Sequence, residues 1–231
     1  MKNFPQFFSL ILSGLLIILC GASCQDDDDN TNNNTSNVTD ADGNVYRSVA
    51  VGSQTWMSEN LRTTKYSDGL AIPNITGTIE WEELTTGAYC WYNNDVNNKT
   101  TYGALYNGHA VNTGRLCPAE WHVASDAEWT TLINYLGGES VAGGKLKETG
   151  TSHWSTPNAE ATNLSGLAFL PGGDRDDYGR FENIYLAGYW WSSTANYSFS
   201  NWLRLIGNTG GAVARPSYNK EFGFSVRCVK N

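Results

Sequence analysis

The sequence predicts an α+β, loop-rich fold: two helices and short antiparallel strands, joined by irregular, glycine-rich connections. Three observations predict it. The first is alternation. From Asp42, "DGNVYRSVAVGSQTWMSENL" sets Val45, Val49 and Val51 among polar neighbours and uses Gly43 and Gly52 as turn residues, the pattern of short strands that double back. The second is a helix signal that begins at Ser125. The third is composition. Aromatic residues make up 13% of 231 residues and include nine tryptophans, alongside 24 glycines, so flat rings and turn residues must build much of the core.

The chain opens on an address. Lys2 precedes an apolar run from Phe7 to Cys20, long enough for a signal-peptide core and shorter than the ~20 residues of a spanning helix. Next comes "GASCQDDDDN", in which Ala22 and Ser23 ahead of Cys24 resemble the processing site of a bacterial lipoprotein. Residues 1–23 are then the leader, and Cys24 is the lipidation site that ties the chain to a membrane. Gly21 stands where leucine is customary, which leaves Cys20 or plain secretion as alternatives. Residues 24–41 read as an acidic, Asn/Thr-rich tether, too polar to offset the entropy of ordering. The run Asp26 to Asp29 resembles the export signal of Bacteroidetes-type lipoproteins, which implies the outer membrane and the cell surface; a merely solubilising linker is the competing reading. The folded domain is expected over 42–231.

Within that domain, "AYCWYNNDVNNKTTYGALYNGHAV" continues the strand texture around an Asn/Asp-rich loop. Ser125-Asp126-Ala127-Glu128 then forms a capping box, and Trp129, Leu132, Ile133 and Leu136 follow at i, i+3, i+4 and i+7 until Gly137-Gly138 stops the helix. A second helix is expected from Val141 to Glu148, weakened by two glycines at ~1 kcal/mol each. "PNAEATNLSGLAFLPGGDRDDYGRFENI" is a stretch of turns, and "GYWWSS", "NWLRL", "GAVARPS" and "GFSVRCVKN" read as closing strands. In a strand, Trp190 and Trp191 face opposite ways, so at most one ring enters a given core. The other lies beneath a loop or stacks on a ligand, and Trp191 is the candidate for the second role.

Several function classes are excluded. A formal charge of −8 gives no basic stripe for phosphates, so no nucleic-acid partner is expected. There is no Cys-x-x-Cys, His-Glu-x-x-His, Gly-x-Ser-x-Gly or phosphate loop, and His109, His122 and His153 lie in separate segments. No catalytic residue, metal site or cofactor is expected. His122 reads as structural. Calcium is the exception left open, because Asn93, Asn94 and Asp95, and Asp174, Arg175, Asp176 and Asp177, place hard oxygen atoms in loops. Solvated turn residues explain the same pattern. Together with Trp191, Asn93, Asn94, Asp95, Asp174, Arg175 and Asp177 are the candidate ligand-binding residues.

The ordered segments "DGNVYRSVAVGSQTWMSENLRTTKYSDG", "YCWYNND", "YGALYN", "LCPAEWHVASDAEWTTL", "GGKLKETGTSHW", "LPGGDR", "GYWWSS" and "GFSVRCVK" closely resemble the Fibrobacter succinogenes major paralogous domain family. The resemblance spans roughly Asp42 to Lys230. It implies a fold related to the C-type-lectin-like and formylglycine-generating-enzyme group, two helices packed on a small twisted antiparallel sheet with long irregular loops, a disulfide between Cys117 and Cys228, and Cys90 left over. It implies no activity. The usual lectin triplets for sugar-bound calcium are absent, and Cys228 stands alone where the oxidases hold a cysteine pair. The expectation is a non-catalytic surface lipoprotein that presents loops to an extracellular glycan or protein. A structural role in a surface assembly, or a divergent oxidase, is the alternative.

Overall fold

The structure is a computed structural model that describes Met1 and residues 36–231. The leader, Cys24 and the acidic run of the tether lie outside the described residues.

The described chain is mixed α and β, mostly antiparallel strands in several curled sheets with few helices. The first sheet runs in the order β1 (Asn37–Thr39), β2 (Val45–Val51), β3 (Gln54–Met57), β13 (Cys228–Lys230) and β6 (Trp121–Val123). The last strand therefore sits between two early ones, Val229 facing Trp56 on one side and Cys228 facing Val123 on the other. The second sheet runs β4 (Tyr89–Cys90), β5 (Leu105–Asn107), β12 (Gly223–Phe224), β7 (Asp174–Arg175) and β8 (Phe181–Glu182). The third is the long hairpin β9 (Ala187–Tyr197) and β10 (Ser200–Gly207) with β11 (Ser217–Asn219) on its edge. Parallel bridges Gly173↔Gly188 and Trp190↔Ser225 join the hairpin to the segments around the second sheet.

Strand pairing extends upstream of Asp42. Asn37–Thr39 pairs with β2, and the buried Asp40 carboxylate accepts from the amides of Asp42 and Asn44 and from the Tyr46 hydroxyl. The stretch hides in the sequence because it is an edge strand whose Val38 alone packs inward. β2 also departs from simple alternation. Val45 is exposed while Tyr46 and Ser48 are buried, and Val51 is buried at the other end. Tyr46 belongs to one core and Val51 to another, so the strand changes its buried face along its length.

Those two cores lie on opposite faces of the same strands. One holds Tyr46, Met57, Tyr106, Trp121, Trp191 and Phe224; the other holds Trp56, Trp129, Leu132, Trp154, Phe169 and Trp190. Trp190 and Trp191 split between them, as strand geometry requires, and both are fully buried. Each buried indole removes about 150–250 Å² from water, worth at most ~4–6 kcal/mol at 25 cal/mol per Å². Trp191 is therefore corrected from a candidate ligand-binding ring to a core residue. It packs on Phe224 at 4.6 Å between ring centres, and its Nε1 donates to the Tyr106 carbonyl. The reason is that this hairpin is covered on both faces.

The helices are short: α1 (Thr78–Glu82), α2 (Asn98–Tyr102), α3 (Gly108–Val111), α4 (Asp126–Tyr135) and α5 (Ala142–Leu146). The last two are the predicted ones. In α4 the Ser125 hydroxyl accepts from the Glu128 amide, the Glu128 carboxylate accepts from the Ser125 amide, and Trp129, Leu132 and Ile133 are buried. His122 completes the cap, its Nε2 lying 2.7 Å from Glu128 Oε1 and its Nδ1 2.6 Å from Asn231 Oδ1. Burial pushes the Glu128 carboxyl up, but the bonds from Ser125 and His122 outweigh it and hold the group below its usual value. Ser125→Ala should cost about 1 kcal/mol in urea unfolding, the ordinary cost of a lost cap.

The family-implied disulfide is present. Cys117 and Cys228 are bonded, with Cα atoms 6.0 Å apart and a sequence separation of 111. Cys90 is a buried free thiol in a third, smaller cluster with Trp81 and Leu105. Burial pushes it up to about 12, so it is held as the neutral thiol.

Candidate functional site

The predicted turn segment "GGDRDDYGRFEN" folds into a tight hairpin, β7 to β8, with Asp174 opposite Glu182. Local chemistry dictates its shape. Asp176 Oδ1 accepts from the amides of Tyr178 and Arg180, and its Oδ2 accepts from Arg180 Nε at 2.7 Å. That is an Asx-type turn closed by an ion pair. Gly173 has φ +64, and a Cβ there would lie 2.5 Å from the Glu182 carbonyl oxygen, so only glycine lets the two strands approach.

Beneath the hairpin, Arg175 is fully buried. Its guanidinium donates to the carbonyls of Ile75, Thr76, Gly77 and Gly179, and lies 4.3 Å from the Trp81 ring centre and 4.8 Å from that of Phe181. It ties the hairpin tip to the 75–77 segment. Arg175 was a candidate ligand-binding residue; every one of its nitrogens is engaged with the protein, which corrects that role to a structural one.

Facing the hairpin is a set of rings from three other places in the chain. Tyr189 of β9 stacks on Phe224 of β12 with centres 5.2 Å apart and planes 12° apart; Phe222 stacks on the same Phe224 at 5.5 Å, and Tyr218 of β11 meets Phe222 at 4.8 Å. Between rings and hairpin lies an open cleft of about 310 Å³. Its acidic side is Asp174, Asp176, Asp177 and Glu182, with Arg180 the only cationic residue that lines it among the described residues. Asn183 links the two sides, its Nδ2 donating to Asp174 Oδ1 at 2.9 Å and to the Tyr189 hydroxyl at 3.2 Å. A second cleft of about 350 Å³ shares Tyr189 but is otherwise lined by small and aliphatic residues such as Ala187, Leu205 and Ala214.

The electrostatics single out Asp174. Burial first, then the neighbouring charges of Glu182 and Asp176, push its carboxyl up to about 6 against the bond from Asn183. Tyr189 is likewise raised, by burial and then by the charge of Asp174.

Of the sequence candidates, the cleft gathers Asp174, Asp176 and Asp177. Asn93, Asn94 and Asp95 lie in an exposed turn away from its lining. Asn93 and Asn94 have φ +56, Asp95 Oδ1 accepts from the Asn97 amide, and Asn94 Nδ2 donates to the Thr76 carbonyl. These are turn and tie contacts. Among the described residues, no group of three or more His, Cys, Asp and Glu side chains is arranged to hold a metal ion.

Residues 49–230 match the family described as the Fibrobacter succinogenes major domain. The chain belongs to that family. No curated protein and no solved structure matches the chain. In this Fibrobacter succinogenes major domain the ring wall of the cleft was missed by sequence reasoning. Tyr218 and Phe224 sit on strands of three and two residues, too short for a period, Phe222 lies in the turn between them, and only their close spacing around "NKE" marks them. Tyr189 was visible in the sequence solely as the neighbour of two tryptophans.

Proposed function

We propose that the protein is an exported lipoprotein, held on the outer membrane at the cell surface through Cys24, whose domain is a non-catalytic C-type-lectin-like binding module for an extracellular glycan or protein. The observation that carries this reading is the cleft between the β7–β8 hairpin and the Tyr189, Tyr218, Phe222 and Phe224 rings. Concave sites that combine aromatic faces with a few placed polar groups are the usual form of a ligand site. Arg175 pins the hairpin wall, and Tyr189, Tyr218 and Phe224 of the ring wall stand on strands of the sheets. The non-catalytic reading is supported by the bond between Cys228 and Cys117 and by the burial of Cys90 in a different cluster, which leaves no two free cysteines side by side among the described residues.

Glycan and peptide arrays probed with the wild-type chain and with Tyr218→Ala and Phe222→Ala test the reading. Saturable hits should weaken at least about tenfold in the variants, the scale of an aromatic hot spot. Hits that both variants retain unchanged would place the binding surface elsewhere.

A further inference from the structure

The chemistry of the cleft selects among ligands. Resting on the reading of the cleft as a binding site, we infer that it takes a protonated primary amine on an apolar stem, the side chain of a lysine carried by a protein partner. Three observations on independent groups converge on this.

First, the ionised groups that line the cleft are four carboxylates against one guanidinium, with the hydroxyls of Tyr178, Tyr189 and Tyr218 as its neutral donors. Carboxylates only accept. Its strongest side-chain donors are already engaged, Asn183 Nδ2 with Asp174 and Tyr189, and Arg180 with Asp176. A sugar hydroxyl gives and takes hydrogen bonds, whereas an ammonium gives three and takes none.

Second, Asp174 is 5% exposed yet lines the cleft, and among the described residues its Oδ2 accepts no hydrogen bond from the protein. That oxygen is open to the cleft and free to take a donor from a ligand. Asp176 has Arg180, and Asp177 has only the Asn219 amide at 3.4 Å. The other nearby charges do not reach in: Lys220 donates to the Ser198 carbonyl, and Glu221 faces His109.

Third, ring faces attract cations of their own accord, so Tyr189, Tyr218 and Phe222 pull in the same direction as the carboxylates. They also supply an apolar wall for the methylene stem.

The test uses the full chain in a nonionic detergent, with amide shifts followed by NMR. Four probes are titrated: the capped peptide Gly-Gly-Lys-Gly-Gly, the same peptide with acetyl-lysine, the same with arginine, and a neutral disaccharide. The lysine peptide should shift the amides of 174–183 and 218–224, and acetyl-lysine should not. Asp174→Asn should weaken lysine binding about tenfold, the ordinary size of a charge-assisted bond. Should that variant fail to fold, Glu182→Gln, an exposed side chain, carries the same prediction in smaller degree. Binding should also fall as pH drops through about 6, where Asp174 takes a proton while lysine, near 10.4, stays charged. Among the described residues no histidine lines the cleft to mimic that response.

Equal binding of lysine and acetyl-lysine, or lysine binding indifferent to Asp174→Asn, would overturn the inference. A preference for arginine would overturn lysine as the cation. Cleft shifts caused by the disaccharide alone would sink the ligand class and leave the binding-site reading standing. No shift in the cleft with any probe would remove both.

Discussion

Replacing Cys117 and Cys228 together by alanine is expected to lower the unfolding free energy by about 4–5 kcal/mol, since the bond closes a loop of 111 residues. Domains of this kind have only about 5–15 kcal/mol in total, so the variant should be marginal at body temperature. The effect is large because of where the bond sits. Cys228 lies on the strand that closes the first sheet between β3 and β6, and Cys117 enters that sheet just ahead of β6. Losing the tie frees the C-terminal strand, whose neighbour β12 carries Phe224 of the ring wall. Urea unfolding measures the loss. Of Cys90, Cys117 and Cys228, thiol alkylation in denaturant without reductant should label Cys90 alone; labelling of all three would show that the tie is not formed.

Arg175→Met should be the next most damaging change, at about 3 kcal/mol or more. Methionine can fill the space between Trp81 and Phe181, but it returns no donor to the carbonyls of Ile75, Thr76, Gly77 and Gly179. Each buried acceptor left without a partner costs about 1–3 kcal/mol. The consequence should be local as well as global: the β7–β8 hairpin should exchange its amides faster, and the cleft should lose ligand affinity in proportion. Arg175→Lys should recover little, because a single ammonium cannot reach four carbonyls spread across two segments. A variant with wild-type stability would mean that water satisfies those carbonyls unaided.

These two sites differ in how far the sequence reveals them. The capping box at Ser125 is legible because its hydrogen bonds run between residues three apart, and the face of α4 is legible because burial repeats with the helical period. Opposite burial of Trp190 and Trp191 follows from strand geometry alone. Arg175, Arg227 and Lys147 are different. All three are buried cations, and their partners are largely carbonyls of remote segments, such as Met57 and Leu167 for Arg227 and Ala159, Gly207 and Gly210 for Lys147. A carbonyl has no signature in a sequence, so a charged side chain that orders loops reads as a surface residue. The cleft was half visible for the same reason. Its acidic hairpin announces itself through Asp, Gly and turn spacing, whereas its ring wall is assembled from three strands that meet only in the folded chain.

Amide hydrogen exchange of the full chain, with and without a saturating array hit, addresses the binding cleft most directly. Slowed exchange confined to 174–183, 189 and 218–224 is the predicted result. Protection centred instead on the Asn93–Asp95 turn or on the exposed, stacked Tyr197 and Phe199 at the tip of the long hairpin would contradict it.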